Sequence, residues 1–483
     1  MSSPTESATS PQWKTSWMWG GIALLVRGLV VLWAADRVAP SADGAFYHVV
    51  AERIARGLGY TWAWPDGAVT FAAHYPVGYP ALLGGAYALA GATPAVAMVT
   101  NALLGAWGCV VVHRLTLQAA EEAQLGPWSR WAAHLGAGWV AVSPTLVAYT
   151  AALMTESTVG VLIITAGWLG LLAERSVSRS ARLAGWLGCG VVLGAATLVR
   201  PQSILLAPGL ASLVLLKRPL LRAWSSAVVA AALVSGVALL VCVPWTLRNC
   251  ERMERCVFVS ANGGWNILIG TFPEGNGSFV PIDAARVPPE CRTVFAEAEK
   301  DACFGRAGRE RIARAPGAWL TLIPSKLRAT FDHTAAASEY LMQAGALPDG
   351  PRLGLAGLEF VWQRLGLAAG AWAVAYAAAR VGPAAAGTPL RKGLLAGSLA
   401  LAFLLPSCHW AWTALIVVGA LSWSRQSGPA RQALWAAAIT WAVHAVFFGA
   451  GRYTLPLLYA MAPLTGVGVG LWARTFDSRK RAG

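Results

Sequence analysis

The chain is short of charge. Asp, Glu, Lys and Arg make up 13% of its 483 residues, whereas 56% are hydrophobic. A water-soluble domain has no room to hide that much apolar surface. The chain also lacks a Walker loop, a Rossmann glycine fingerprint and any Cys-x-x-Cys pair, which argues against direct nucleotide use and against zinc ribbons. No repeat suggests paired transporter halves, and few ionisable groups fall inside the apolar runs: Arg27, His113, His134, Glu359, Arg364 and His444 among them. A transport route calls for more such groups along one path. Acids are the scarcer sign, 23 against 38 Lys and Arg. In a membrane protein that surplus suits anionic headgroups rather than nucleic acid.

What is abundant is apolar sequence in long runs. About 18 such residues cross roughly 30 Å of hydrocarbon as a helix, which satisfies its own backbone there. Spans are expected at 17–36, 93–118, 131–150, 157–173, 183–200, 202–216, 223–244, 357–379, 393–407, 410–424, 433–450 and 454–473. The expectation is thus an all-α polytopic bundle of about twelve crossings. Its expected parts are a disordered cytoplasmic tail (1–13), an N-terminal transmembrane module (14–244) with a first outer loop (37–92), a periplasmic loop region (245–352) and a C-terminal transmembrane module (353–483).

Basic residues set the orientation. Arg175, Arg179, Arg182, Lys217, Arg218, Arg222, Arg391, Lys392, Arg425, Arg431, Arg474, Arg479, Lys480 and Arg481 fall on one side, which the positive-inside rule makes cytoplasmic. The Asp43 loop, the Thr155-Glu156 turn, the Arg200-Pro201 turn and the segment after Trp245 then face outward. Cysteines agree with this. Cys250, Cys256, Cys291 and Cys303 share that outer segment, where an oxidising compartment favours two disulfides. The simplest pairing is Cys250 with Cys256 and Cys291 with Cys303, with three connectivities open.

The first outer loop runs from Ser41-Ala42-Asp43-Gly44 to His74-Tyr75-Pro76-Val77-Gly78-Tyr79-Pro80. Within it Tyr47, Val50, Ile54 and Leu58 recur at near-helical spacing, which predicts amphipathic helix lying at the membrane surface. Ser41 is the expected N-cap. Asp43 falls in the first turn, where the helix dipole favours an acid even without catalytic duty. Arg200, Arg248 and Arg452 all stand at outer ends of apolar runs. Taken singly each is a snorkelling arginine; taken together they suit a lipid phosphate, whose oxygens a guanidinium grips in pairs.

In order, the Asp43 loop, Tyr75 to Pro80, Glu156, Leu198-Val199-Arg200-Pro201, Pro244-Trp245 with Arg248-Asn249, Asn262 to Gly270, and Arg452-Tyr453 with Pro456 resemble the GT-C glycosyltransferases. The resemblance runs from about Val26 to Gly468 and is to the bacterial branch related to dolichyl-phosphate-mannose protein mannosyltransferases and the lipid A aminoarabinose transferase. It implies transfer of a sugar from a polyprenyl-phosphate donor to a lipid, glycan or protein acceptor, usually with inversion, at the periplasmic face of a bacterial inner membrane. Asp43 and Glu156 are the implied catalytic acids. Arg200, Arg248, Arg452 and Lys326 are the implied phosphate ligands. Tyr47, His48, Tyr60, His74, Tyr75, Tyr79, Asn249 and Tyr453 are the implied substrate contacts. Two departures stand out: Gly44 follows Asp43 where relatives often carry a second acid, and His74-Tyr75 replaces an acidic-basic pair. No metal is assigned, and a divalent cation is left open. The competing expectations are a carrier or flippase of lipid-linked sugars, and a polymerase or ligase using diphosphate-linked glycans.

Overall fold

The computed structural model of the protein describes residues 11–215, 220–332, 335–380 and 389–480. Most of the expected tail, together with Lys217, Arg218 and Arg481, lies outside the described residues, and Pro11 to Trp13 are already helical.

Helices follow the apolar runs. α1 (Pro11–Ala34) leads into the first outer loop, which folds as α2 (Asp43–Ala55), an antiparallel hairpin of β1 (Thr61–Ala63) and β2 (Val69–Phe71), and α3 (Gly78–Ala90). The bundle continues through α4 (Pro94–Glu122), α5 (Trp128–Ala141), the short α6 (Pro144–Ala148), α7 (Thr155–Arg175), α8 (Arg179–Val199), α9 (Ala207–Leu215) and α10 (Leu220–Arg252). A more polar segment holds α11 (Gly263–Ile269), α12 (Glu297–Arg314), α13 (Pro316–Thr321), α14 (Ile323–Phe331) and α15 (Ala336–Gln343). α16 (Asp349–Ala378), α17 (Pro389–Ala402), α18 (His409–Leu421), α19 (Gly428–Val446) and α20 (Leu455–Lys480) complete the bundle.

The protein is a multi-pass helical membrane protein. Among the described residues, 6 helices are long and apolar enough to cross a bilayer, and the other expected spans fall on shorter or more polar helices. Length and composition therefore do not reach the expected twelve. α10 also departs from its expected end at Pro244. It continues to Arg252 because its last turns are tied to the returning chain: Trp245 Nε1 donates to Val259 O (2.8 Å), Asn249 Nδ2 to Val257 O (3.2 Å), and Cys250 is bonded to Cys256.

Buried ionisable groups inside the bundle act on helix ends. Arg27 donates to Val140 O and Ala141 O, the last carbonyls of α5, each at 3.2 Å. Arg364 gathers the carbonyls of Leu405 and Pro406 beyond α17. Glu359 accepts the N–H groups of Ala337 and Ser338 at the start of α15. Each satisfies backbone groups of a helix end or of the loop beyond it, which would be costly to leave unmet away from water.

Two glycines permit the close approaches that shape the end of the bundle that carries Asp43 and Arg200. A Cβ on Gly44 would stand 2.8 Å from Tyr340 Oη and 2.9 Å from Leu153 O. No side chain fits beside Asp43, which accounts for the missing second acid. A Cβ on Gly78 would lie 2.6 Å from the carbonyl carbon of Leu198, so α3 starts directly against the backbone that presents Arg200. Gly78→Ala should therefore lower stability by about 1–3 kcal/mol, seen as a lower thermal midpoint in detergent. An unchanged midpoint would show that this contact yields freely.

Candidate active site

Four helix ends meet at one end of the bundle. Asp43 and Glu156 sit in the first turns of α2 and α7, where backbone N–H dipoles favour negative charge. Arg200 follows α8 and is extended (φ −143°, ψ 111°), as Pro201 requires. Arg452 lies in the short turn before α20.

These side chains form one network. Glu156 is completely buried, and its Oε1 takes an ion pair from Arg200 Nη2 and stands 3.5 Å from Arg452 Nε. Its Oε2 accepts the Tyr149 hydroxyl at 3.0 Å. Arg452 reaches on to Asp43, with Nη2 3.0 Å from Oδ2, and Tyr75 donates its hydroxyl to Asp43 Oδ1 at 2.9 Å. Arg200 Nε also donates to Thr155 Oγ1 (2.9 Å), and its guanidinium lies 5.2 Å from the Tyr453 ring centre. Burial, and then the charge of Asp43, hold the Tyr75 phenol far above its ordinary pKa, so it remains a donor.

The start of α2 is strained. Its N-cap is Ala42, at φ 49° and ψ −132°, not the expected Ser41. Such a conformation in a residue with a Cβ costs on the order of 1–3 kcal/mol and persists only where surroundings impose it. Here Tyr340 Oη accepts the N–H groups of both Ser41 and Leu153 at 3.3 Å, and it abuts Gly44.

The network borders an apolar slot. A narrow cavity of about 50 Å³ is walled by Val159, Ile163, Leu206, Ile439, Val443 and Leu457, with Arg200, Tyr453 and His444 also lining it. His444 stacks on Tyr453 at 4.4 Å and donates from Nδ1 to Phe448 O.

Other expected site residues are held elsewhere. Arg248 donates to Ala72 O and Tyr60 O, each at 2.8 Å, and lies over Trp245. It clamps the hairpin to the end of α10 and is not brought to the Asp43 network. Asn249 is buried, with its amide hydrogens on Val257 O and Val259 O. His48 bonds Tyr87 Oη at 2.7 Å, Tyr79 donates to Asn101 Oδ1 at 3.1 Å, and Tyr60 donates to Tyr75 O at 2.8 Å. Tyr47 packs its ring edge-on against Tyr75 and Tyr79. These residues build the loop from within. His74 stands against Trp265, and burial holds its imidazole below its ordinary pKa, hence neutral at pH 7.

Lys326 is buried, donates to Val446 O at 2.9 Å and sits over Trp319; burial pushes its pKa down to about 8. Cys291 is bonded to Cys303, beside the small core of Leu268, Phe272 and Phe304. Sequence reasoning missed Tyr149 and Thr155, which only the turn before α7 brings to Glu156 and Arg200. It also missed the hairpin, although Trp64-Pro65-Asp66-Gly67 between alternating runs carries a turn signal.

No family model matches the chain, and no curated protein matches it. Among solved structures it is similar to ArnT from Cupriavidus metallidurans bound to undecaprenyl phosphate, at 17% identity over 97% of this chain and 80% of that one, with a TM-score of 0.40. It is also similar to the archaeal oligosaccharyltransferase AglB from Archaeoglobus fulgidus in complex with an inhibitory peptide and a dolichol-phosphate (14% identity, 97% of this chain, 52% of that one, TM-score 0.47). A third is the Archaeoglobus fulgidus oligosaccharyltransferase in complex with Zn and sulfate (13%, 96%, 49%, 0.47). The chain spans about half the length of the oligosaccharyltransferase.

Two outcomes are expected. Glu156→Gln leaves two guanidiniums beside a neutral amide, and breaking such a buried pair should cost about 3–5 kcal/mol, so its thermal midpoint should fall well below that of Asp43→Asn. For Lys326, the unfolded chain holds its proton to about pH 10.4 while the folded protein releases it near 8. The unfolded state thus binds more protons between those values, and stability should rise with pH there. Lys326→Met should flatten that slope in denaturation followed at several pH values.

Proposed function

We propose that the protein is a GT-C-type glycosyltransferase that moves a sugar from a polyprenyl-phosphate donor to an acceptor hydroxyl at the periplasmic face of a bacterial inner membrane, with inversion. One observation supports this most: an apolar slot is lined by Arg200, and Arg200 is joined through Glu156 and Arg452 to Asp43. The apolar walls of the slot suit isoprene units lying along them, and the phosphate suits the guanidinium. A carboxylate one arginine away suits the other reactant.

In this reading the acceptor oxygen forms a bond to the anomeric carbon while its proton passes to Asp43. The bond from that carbon to the phosphate oxygen breaks, and its electron pair leaves with the polyprenyl phosphate. Arg200 and Arg452 stabilise the charge that grows there. Glu156 is saturated by two arginines and a tyrosine, so its role is to hold both cations on one face rather than to take a proton. Arg452 has two partners to serve: phosphate arriving at its guanidinium competes with Asp43 and frees the carboxylate for the acceptor.

A divalent cation does not suit the residues present. Asp43 and Glu156 are already neutralised by arginines, and among the described residues no group of three or more His, Cys, Asp or Glu side chains could hold a metal. No step is routed through one.

Asp43→Asn is the test. Removing a positioned base should slow sugar transfer by about 10²- to 10⁴-fold while binding of undecaprenyl phosphate to the purified protein is retained. Transfer at the wild-type rate would take Asp43 out of the mechanism.

A further inference from the structure

A second cavity opens outward between the first loop and α12. Its volume is about 430 Å³, and its walls include Trp62, Trp64, Tyr75, Trp265, Phe295 and Glu297. That lies in the lower half of the roughly 300–1,000 Å³ usual for small-molecule sites. The aromatic rings are held in place. Trp62 lies on Phe46 with ring centres 4.9 Å apart and planes 17° from parallel. The Trp64 indole donates to Thr70 Oγ1 across the hairpin at 2.9 Å. Trp265 packs edge-on against Phe304 at 4.6 Å. Glu297 accepts the Ala73 N–H at 2.5 Å and so pins the loop wall to α12.

Tyr75 belongs to both sites. Its ring lines this cleft and its hydroxyl donates to Asp43 Oδ1. The cleft thus ends one side chain from the carboxylate and on a different wall from the apolar slot, whose lining residues come from α7, the turn between α8 and α9, α19, the turn before α20 and the start of α20.

We propose that this cleft holds an uncharged glycan as the acceptor, stacking sugar faces on Trp62, Trp64 and Trp265 and presenting a hydroxyl past Tyr75 to Asp43. The proposal rests on the reading of Asp43 as the acceptor-side base. Sugar rings carry a face of C–H bonds that packs on the negative face of an aromatic ring, and indoles add a polar edge for hydroxyls. An acyl chain calls for an aliphatic wall reached from lipid. Here Trp64 is half exposed and Phe295 is 87% exposed, both on the outer loops. A phosphorylated acceptor calls for a guanidinium fork. Among the described lining residues Lys300 is the one cation, and it donates to Cys291 O at 2.7 Å.

The full chain in nanodiscs would be applied to an array of immobilised neutral glycans, acidic glycans and unmodified peptides, with binding of undecaprenyl phosphate measured in parallel. Neutral glycans should be retained, and Trp62→Ala and Trp64→Ala should each weaken that binding by about tenfold or more with undecaprenyl phosphate binding unchanged. The cleft reading is overturned if no neutral glycan binds, if Trp64→Ala binds as well as the parent, or if acidic glycans or peptides bind better. Arg200→Gln and Arg452→Gln separate the two readings. Undecaprenyl phosphate binding that survives both substitutions removes the transferase reading and leaves the cleft standing as a glycan-binding site.

Discussion

A single buried carboxylate holds one end of this bundle together. Arg200 and Arg452 converge from α8 and from the turn before α20, and two guanidiniums this close would repel each other and strain the helices that carry them. Glu156 lies between them with no exposure to solvent, so the attraction acts where water screens little. Tyr149 satisfies the remaining oxygen, and Asp43 shares Arg452 from the other side. Remove the central charge and the ends that carry Arg200 and Arg452 lose their common partner. The network is therefore both an architectural joint and the means by which the Arg200 guanidinium is held beside an apolar slot.

The outer loop reaches that joint because it is tied from several directions. Arg248 clamps the two sides of the hairpin to α10, Glu297 holds Ala73, and the Cys250–Cys256 link closes the turn that follows α10. Tyr340 fixes the strained start of α2. Residues that look like substrate contacts in the sequence, such as Tyr60, Tyr79 and Asn249, spend their polar atoms inside the loop. They hold Asp43 and Tyr75 in place, and that division of labour follows from the cost of burying a polar group without a partner.

Much of this was legible along the chain. Apolar runs marked the helices, the residue pair Arg200-Pro201 marked an extended break, and acids at the starts of α2 and α7 were visible as such. Gly44 was visible only as a departure, and its meaning came from Tyr340 and Leu153 crowding the space a side chain would need. Arg248 illustrates the limit. In sequence it is indistinguishable from Arg200 and Arg452, because all three stand at the ends of apolar runs. Tyr149 left no trace of its role at all, since its distance to Glu156 depends on one turn of backbone.

The sequence by itself determined that the chain is helical, apolar and placed in a membrane, since hydropathy and helical period are summed along the chain and tolerate errors at any one residue. It also determined which acids and cations could meet at one end. Only the tertiary structure decided which of them do. Electrostatic and hydrogen-bonded partnerships fall off within a few ångströms, and those last few ångströms are set by glycine contacts, a strained N-cap and loop clamps that join residues hundreds of positions apart.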